Sequence, residues 1–456
     1  MRLTLARHPV TEIRFETATR LEESSLVVDV EELRRSILED DSLRNVDFET
    51  VCPGENCRSG PVFDIIEPRA KEAEGSRDFP GILGPPVTAG MGTTHLLAGA
   101  AVTVLGERAP GGSGGAIGRV LEMSGPAAGG SPYSSLNHLI VIPHARSGIP
   151  NNAVQKAYRV AGLKASVYLA RAALSQRPAS IETFDPVGPT EKGHEGLPRL
   201  AYVGQIFSRQ RKPEVDEQIL YGANTDGMLP VLLHPDEWLD GALVPSYYSS
   251  LGGAETYFYQ NHPVITELYR RHHARELNFV GTVATITGSD NEDRDRNCRA
   301  AASLVKWVLN AEAAVLTKYG GGVPHADMAE TARLLEGLGV CTAVMVSDMS
   351  RDRRVESALL FNFPEVNAIV YCGGNGTRWN APQVKRVITG SPEAGEALAG
   401  LREIGAYNVA GVANQQGASA GSGLLAGRQQ WSSVSSRPGS VFPVRCNTPV
   451  LRSPGR

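Results

Sequence analysis

The sequence predicts an α/β protein. A β-rich N-terminal domain precedes a doubly wound, mainly parallel α/β region, and a disordered tail closes the chain. Three observations predict this. Up to about residue 125, short β-branched runs alternate with Gly/Pro turns, as in GILGPPVTAGMGTTHLLAGAAVTVLGE. From residue 277, strand-like and helix-like runs alternate in the βαβ manner that builds parallel sheets with right-handed crossovers. After residue 412, Gly, Ser, Ala and Gln dominate, and such a segment has too little apolar surface to offset the entropy of ordering.

The elements follow in order. The first domain is placed at 1–125, and the glycine-rich stretch 109–130, with APGGSGGAIG and GPAAGGSP, reads as an exposed connection. A middle α/β domain at 131–276 opens with the apolar strand LNHLIVIPHA. A long helix follows, with apolar residues at helical spacing from Val154 to Leu174. Further strands are expected at 199–207 and 229–233, then a Ser/Pro/Gly-rich loop, VPSYYSSLGGAE, at 244–255. The third domain, 277–390, reads LNFVGTVATIT (strand), CRAAASLVKWVLN (helix), AAVLTKY (strand), ADMAETARLLEGLG (helix), CTAVMVSD (strand) and VNAIVYCGG (strand). Residues 391–456 begin with the helix former SPEAGEALAGLREIGA and pass into the tail.

With 456 residues the chain is long enough for two or three domains, and 41% hydrophobic with 21% charged residues is an ordinary globular balance. A net charge of -4 and a pI near 6.2 offer no broad positive field, so nucleic acid is not an expected partner. The N-terminal residues carry charges and no apolar h-region, and no run approaches the roughly 20 apolar residues of a membrane span, so a cytoplasmic location is expected. Six scattered cysteines are too few for a disulfide scaffold. Cys52 and Cys57 lack a second ligand pair, so no metal is expected.

Ligands of open α/β sheets sit at the carboxyl ends of strands. The turn KYGGGVPHADM places Gly321, His325 and Asp327 at such an end, although a tight strand-to-helix turn capped by polar residues is the favoured reading from sequence alone. It is neither a Walker loop nor GxGxxG. Asp290, Glu292, Asp293 and Asp295 crowd a helix start, where a solvated cap accounts for them. Cys372 lies at another strand end, and Cys298 reads as helix packing. Thr94 and His95 stand beside glycines in GMGTTH, and His272 and His273 are expected on an exposed helix face.

The segments IEPRAKEAEGSRDFPGILGPPVTAGMGTTHLLAGAAVTVLG, LEMSGPAA, LDGALV, NHPVITELYRRH, LNFVGTV and KYGGGVPHADM together resemble the component B proprotein of glycine, sarcosine and betaine reductases and its D-proline reductase relatives, in order from about residue 8 to about 390. The resemblance implies a subunit that binds a small amine for reductive C–N bond cleavage. A separate selenocysteine- or cysteine-containing subunit would attack the substrate, and a thioredoxin-type dithiol would supply electrons. It also implies self-cleavage before a cysteine just after the D-G-A-[IL]-V segment, converting that cysteine into a pyruvoyl group that forms a Schiff base with the amine.

Here Asp240, Gly241, Ala242, Leu243 and Val244 match the lead-in, but PSYYSSLGGAE has no cysteine. No pyruvoyl group, and no other cofactor, is therefore expected. An N-to-O shift at Ser249 or Ser250 is the alternative route to the carbonyl, and Tyr247 and Tyr248 are candidates to line the pocket. Two rival readings stay open: a binding or scaffold subunit that has lost the chemistry, and a serine-derived pyruvoyl decarboxylase.

Overall fold

The computed structural model describes residues 2–72, 89–107, 117–207, 228–244, 255–288, 290–318, 322–348, 359, 365–374 and 377–412. These form a mixed α/β fold with several sheets, two of which carry most of the core.

In the N-terminal part, one four-stranded sheet runs Leu43–Val51, Asn137–Ala145, Ala100–Leu105, Val62–Ile66. Asn137–Ala145 is a near-continuous apolar run because it is central and covered on both faces. Val102, Val104 and Ile66 pack beneath the helix Asn151–Ala170, while Ala101, Leu105, Ile140 and Ile142 face a second cluster with Tyr133 and Tyr257. At Gly162 the helix approaches the sheet so closely that a Cβ would lie 2.6 Å from Val104 Cγ2 and 2.9 Å from Ile66 Cδ1. A second four-stranded sheet runs Ser180–Thr183, Leu3–Pro9, Gly92–Ala98, Arg69–Lys71. Both sheets draw strands from either side of the boundary expected near residue 125.

The six-stranded sheet runs Val231–Leu233, Asn278–Ile286, Arg199–Phe207, Ala313–Thr317, Cys341–Asp348, Ala368–Gly374, with all but the first strand parallel. The chain starts in the middle at Arg199–Phe207, places Val231–Leu233 at one edge and Asn278–Ile286 between the two, then builds outward on the other side. In open α/β sheets the carboxyl ends of the strands flanking such a reversal are where ligands bind. Alternation along Arg199–Phe207 sends Ala201 and Val203 toward the helices Asn291–Ser303 and Val323–Gly337. Tyr202 faces Trp238, Tyr259, Phe279 and the strand residues Leu3, Leu5 and Leu96, so this core also seals the sheet against the N-terminal strands.

Several expectations are corrected. Of the expected connection 109–130, the described part is built into the core: Val120, Leu121 and Met123 are buried, and Leu121–Glu122 pairs with Cys57–Ser59, itself paired with Arg386–Ile388. Gly118 and Gly125, with φ of 56° and 81°, make the left-handed turns on either side of Leu121–Glu122. The expected helix at 391–406 ends at Ala399, and Glu403–Gly405 is a strand paired with Arg378–Asn380. His272 is fully buried, its Nε2 3.1 Å from the Pro186 carbonyl and its Nδ1 accepting from Phe279 N, so only His273 is on the exposed face. The tail beyond 412 lies outside the described residues.

Candidate functional site

The helix Pro235–Asp240 ends at Gly241, whose φ of 93° is the left-handed turn that a glycine C-cap supplies without steric cost. This delivers Asp240 into the interior with no exposed surface. Its Oδ1 accepts from the Thr94 hydroxyl at 2.6 Å, and its Oδ2 accepts from the Gly90 amide at 2.7 Å and from the Lys71 ammonium, which also donates to the Met91 carbonyl at 2.7 Å. Gly90 is required here, since a Cβ would come within 2.9 Å of the Glu237 backbone nitrogen. A buried carboxylate is tolerable only when paired and hydrogen-bonded in this manner.

Two further buried pairs extend the arrangement. Arg69 engages Glu67, the Leu239 carbonyl and the Gln260 carbonyl at 3.1 Å. Asp64 engages Arg159 and accepts from Thr256 N at 2.8 Å and Thr256 Oγ1 at 2.6 Å. Burial drives the Asp64 carboxyl up, and Arg159 and Thr256 oppose it. Glu255 accepts from Arg119 and from the Tyr133 hydroxyl at 3.0 Å. The Asp240 and Glu255 pairs thus stand on either side of residues 245–254 in the sequence.

A second polar cluster occupies the carboxyl ends of the central strands. The Tyr202 hydroxyl lies 2.6 Å from Thr317 Oγ1 and 3.1 Å from His262 Nε2. His262 Nδ1 accepts from Ile265 N as the cap of helix Pro263–His273, so the proton of the neutral ring sits on Nε2 and donates to Tyr202, which in turn donates to Thr317. Gln205 Nε2 donates to Thr287 Oγ1 at 2.9 Å. Lys318 follows Thr317 and is 2% exposed, and burial brings its ammonium down to about 8, with Cys372 acting the other way. Burial, then the Lys318 charge, lowers His325 to about 3. Burial raises the Cys372 thiol to about 12, so it is no ready nucleophile.

The candidates named from sequence divide between these places. Thr94 joins the Asp240 cluster. His95, one residue on, points to the opposite face and stacks on His8 with Nδ1 2.9 Å from His8 Nε2, and burial lowers both rings. His95 Nε2 is buried without a hydrogen-bond partner among the described residues. His325 belongs to the strand-end cluster. Asp327 accepts from Arg294 at 2.7 Å, tying two helices together. Tyr247, Tyr248, Ser249, Ser250 and Gly321 lie outside the described residues. Asp290 caps its helix through Asp293 N at 2.8 Å, and Cys298 is buried in the same helix. Among the described residues no group of His, Cys, Asp and Glu could hold a metal ion, and no helix is long and apolar enough to cross a membrane.

Sequence reasoning missed Lys71, Asp240, Glu255, Tyr202, His262 and Lys318. The available signal was a charged side chain inside an otherwise apolar or strand-forming run, as in EPRAK, LDGALV and AVLTK.

The segments that meet at Asp240 are those by which the sequence resembles component B, and the family model for glycine/sarcosine/betaine reductase component B subunits matches residues 1–417. The chain belongs to that family. Among its relatives, the glycine reductase complex component B subunits alpha and beta of Acetoanaerobium sticklandii are 28% identical over 85% of this chain and 89% of theirs. The sarcosine reductase complex component B subunit alpha of Peptoclostridium acidaminophilum is 29% identical over 85% of this chain and 89% of its own. The betaine reductase complex component B subunit alpha of the same organism is 28% identical over 86% and 89%. No solved structure is a significant match. The Asp240 cluster stands just before residues 245–254, where this chain has two tyrosines and three serines but no cysteine.

Proposed function

We propose that this protein is the amine-binding component B subunit of a reductase complex, and that it works without a self-generated pyruvoyl group. The observation that carries the reading is the closure of EPRAK, GMGTTH and LDGALV on one buried carboxylate: Lys71, Gly90 and Thr94 all bond to Asp240. That closure supports a retained substrate-binding frame, while the adjoining 245–254 segment has no thiol for an N-to-S acyl shift. A carbonyl-free subunit suits a quaternary amine, which has no N–H to form a Schiff base. C–N cleavage would then fall to a selenocysteine- or cysteine-containing partner, re-reduced by a thioredoxin-type donor. The small amine substrate binds to this chain, and a soluble cytoplasmic complex is the expected setting.

Mass spectrometry of the freshly purified full chain under denaturing conditions tests the reading. A single species at 48.7 kDa is expected. Two fragments divided near Ser249 or Ser250, the later one blocked at its N-terminus and reactive to hydrazine, would overturn the carbonyl-free reading and assign the chemistry to a serine-derived pyruvoyl group.

A further inference from the structure

We infer that the stacked imidazoles of His194 and His272 form a proton-sensitive clasp, which holds segment 184–197 against helix Pro263–His273 at neutral pH and releases it on mild acidification. The geometry is the first support. The two ring centroids are 3.8 Å apart and the rings are 11° from parallel. Both rings are committed to the neutral form. His194 Nε2 donates to the His272 carbonyl at 3.0 Å, and its Nδ1 is buried without a hydrogen-bond partner among the described residues. His272 Nε2 donates to the Pro186 carbonyl at 3.1 Å, and its Nδ1 accepts from Phe279 N at 3.1 Å. A second proton on His272 therefore displaces the Phe279 amide, and charge on both rings sets two cations face to face.

The charged surroundings are the second. Burial, then His194, lower His272, while the Pro186 carbonyl, Asp185 and Glu191 act the other way. Those two carboxylates belong to the segment itself, as does Glu195, which faces His194 and Arg275. The helix end also brings His273, whose exposed pair with Asp185 at 2.6 Å is screened by solvent. The strand Asn278–Ile286 carries no charged residue. Because the folded ring takes its proton below the unfolded value of 6.5, the closed form loses stability as pH falls from that value.

The segment also backs the helix Pro235–Asp240. Phe184 and Tyr269 have ring centroids 4.9 Å apart, Tyr269 donates to Asp236, and the His234 ring hydrogen-bonds the Val187 backbone. Opening the clasp thus loosens the helix that presents Asp240, whether or not the amine-reductase reading holds. Burial lowers His234 to about 4 and raises the Asp236 carboxyl to about 6, so Asp236 is the group from which His272 has to be separated.

Hydrogen exchange of the full-length protein separates them, read by mass spectrometry with labelling times scaled to the intrinsic rate at each pH. Between about pH 7.5 and about pH 5.5, peptides spanning 184–197 and the Phe279 amide should lose protection by about tenfold or more and regain it on return, while the strand Asn137–Ala145 keeps its own. In His272→Asn, whose side-chain oxygen still accepts from Phe279 N, the loss should vanish. His194→Phe, which keeps a stacked ring without a charge, should move it to lower pH. If His272→Asn does not fold, the wild-type and His194→Phe profiles decide. Unchanged protection in the wild-type protein, loss spread evenly over the chain, or the same loss in the variants would overturn the inference, the last assigning the response to Asp236.

Discussion

His138 illustrates how one interior side chain sets a pH limit. Its Nε2–H donates to the Tyr133 carbonyl and its Nδ1 accepts from Thr103 Oγ1, both at 2.8 Å, so the neutral ring is fully used and burial lowers it to about 4. In the unfolded chain the same ring takes a proton near 6.5, so as pH falls from about 6.5 to about 4 the unfolded state binds the extra proton and stability drops, by up to roughly 3 kcal/mol. Denaturant midpoints measured between pH 7 and pH 4 should show this slope, and His138→Gln should flatten it. At Asp240 the consequence is one of unpaired charge. Lys71→Met should lower stability by roughly 3–5 kcal/mol in urea titrations, because it strands a buried carboxylate, whereas joint Lys71→Met and Asp240→Leu replacement should recover part of the loss. Such pairings were not legible in the sequence. Lys71 and Asp240 are 169 positions apart, and local spacing carries no trace of a partner at that distance. His325 could be singled out because glycines mark its turn, but its burial beside Lys318 depends on how the strands are ordered.

At the scale of elements, Gly162 decides how the helix Asn151–Ala170 meets its sheet. Alanine is normally better than glycine inside a helix by about 1 kcal/mol. Here the added methyl group would press on Val104 and Ile66 at 2.6 and 2.9 Å, and overpacking of this kind costs roughly 1–3 kcal/mol. Gly162→Ala should therefore lower the melting temperature, against the propensity trend, and calorimetry on the variant reads the sign directly. The strands at 137–145, 199–207 and 278–286 were legible because buried strands are written as unbroken apolar runs. Leu121–Glu122 and Glu403–Gly405 were not, since two- or three-residue strands exist only through the neighbours they pair with. The βαβ rhythm after 277 announced parallel strands, but not that Arg199–Phe207, from further upstream, would be their centre.

For the molecule as a whole, the chain's late segments complete its early ones. Arg386–Ile388 pairs with Cys57–Ser59, and Arg58, fully buried, spends its guanidinium on Glu122, the Leu398 carbonyl at 2.8 Å and the Pro382 carbonyl at 3.1 Å. A chain ending at residue 377 would leave that cation half-satisfied and expose Val120 and Cys57, and it should be insoluble or protease-sensitive, whereas one ending at 412 keeps every one of these contacts; limited proteolysis of the two proteins tests the contrast. A related consequence attaches to residues 245–254. Trp238, Leu239 and Leu243 on one side of them share a core with Phe258, Tyr259 and Phe279 on the other, and the ion pairs of Asp240 and Glu255 hold the two flanks. If the backbone were severed anywhere between those flanks, the two polypeptides would travel as one particle. Gel filtration and native electrophoresis would report an intact protein, and only a denaturant would reveal the nick.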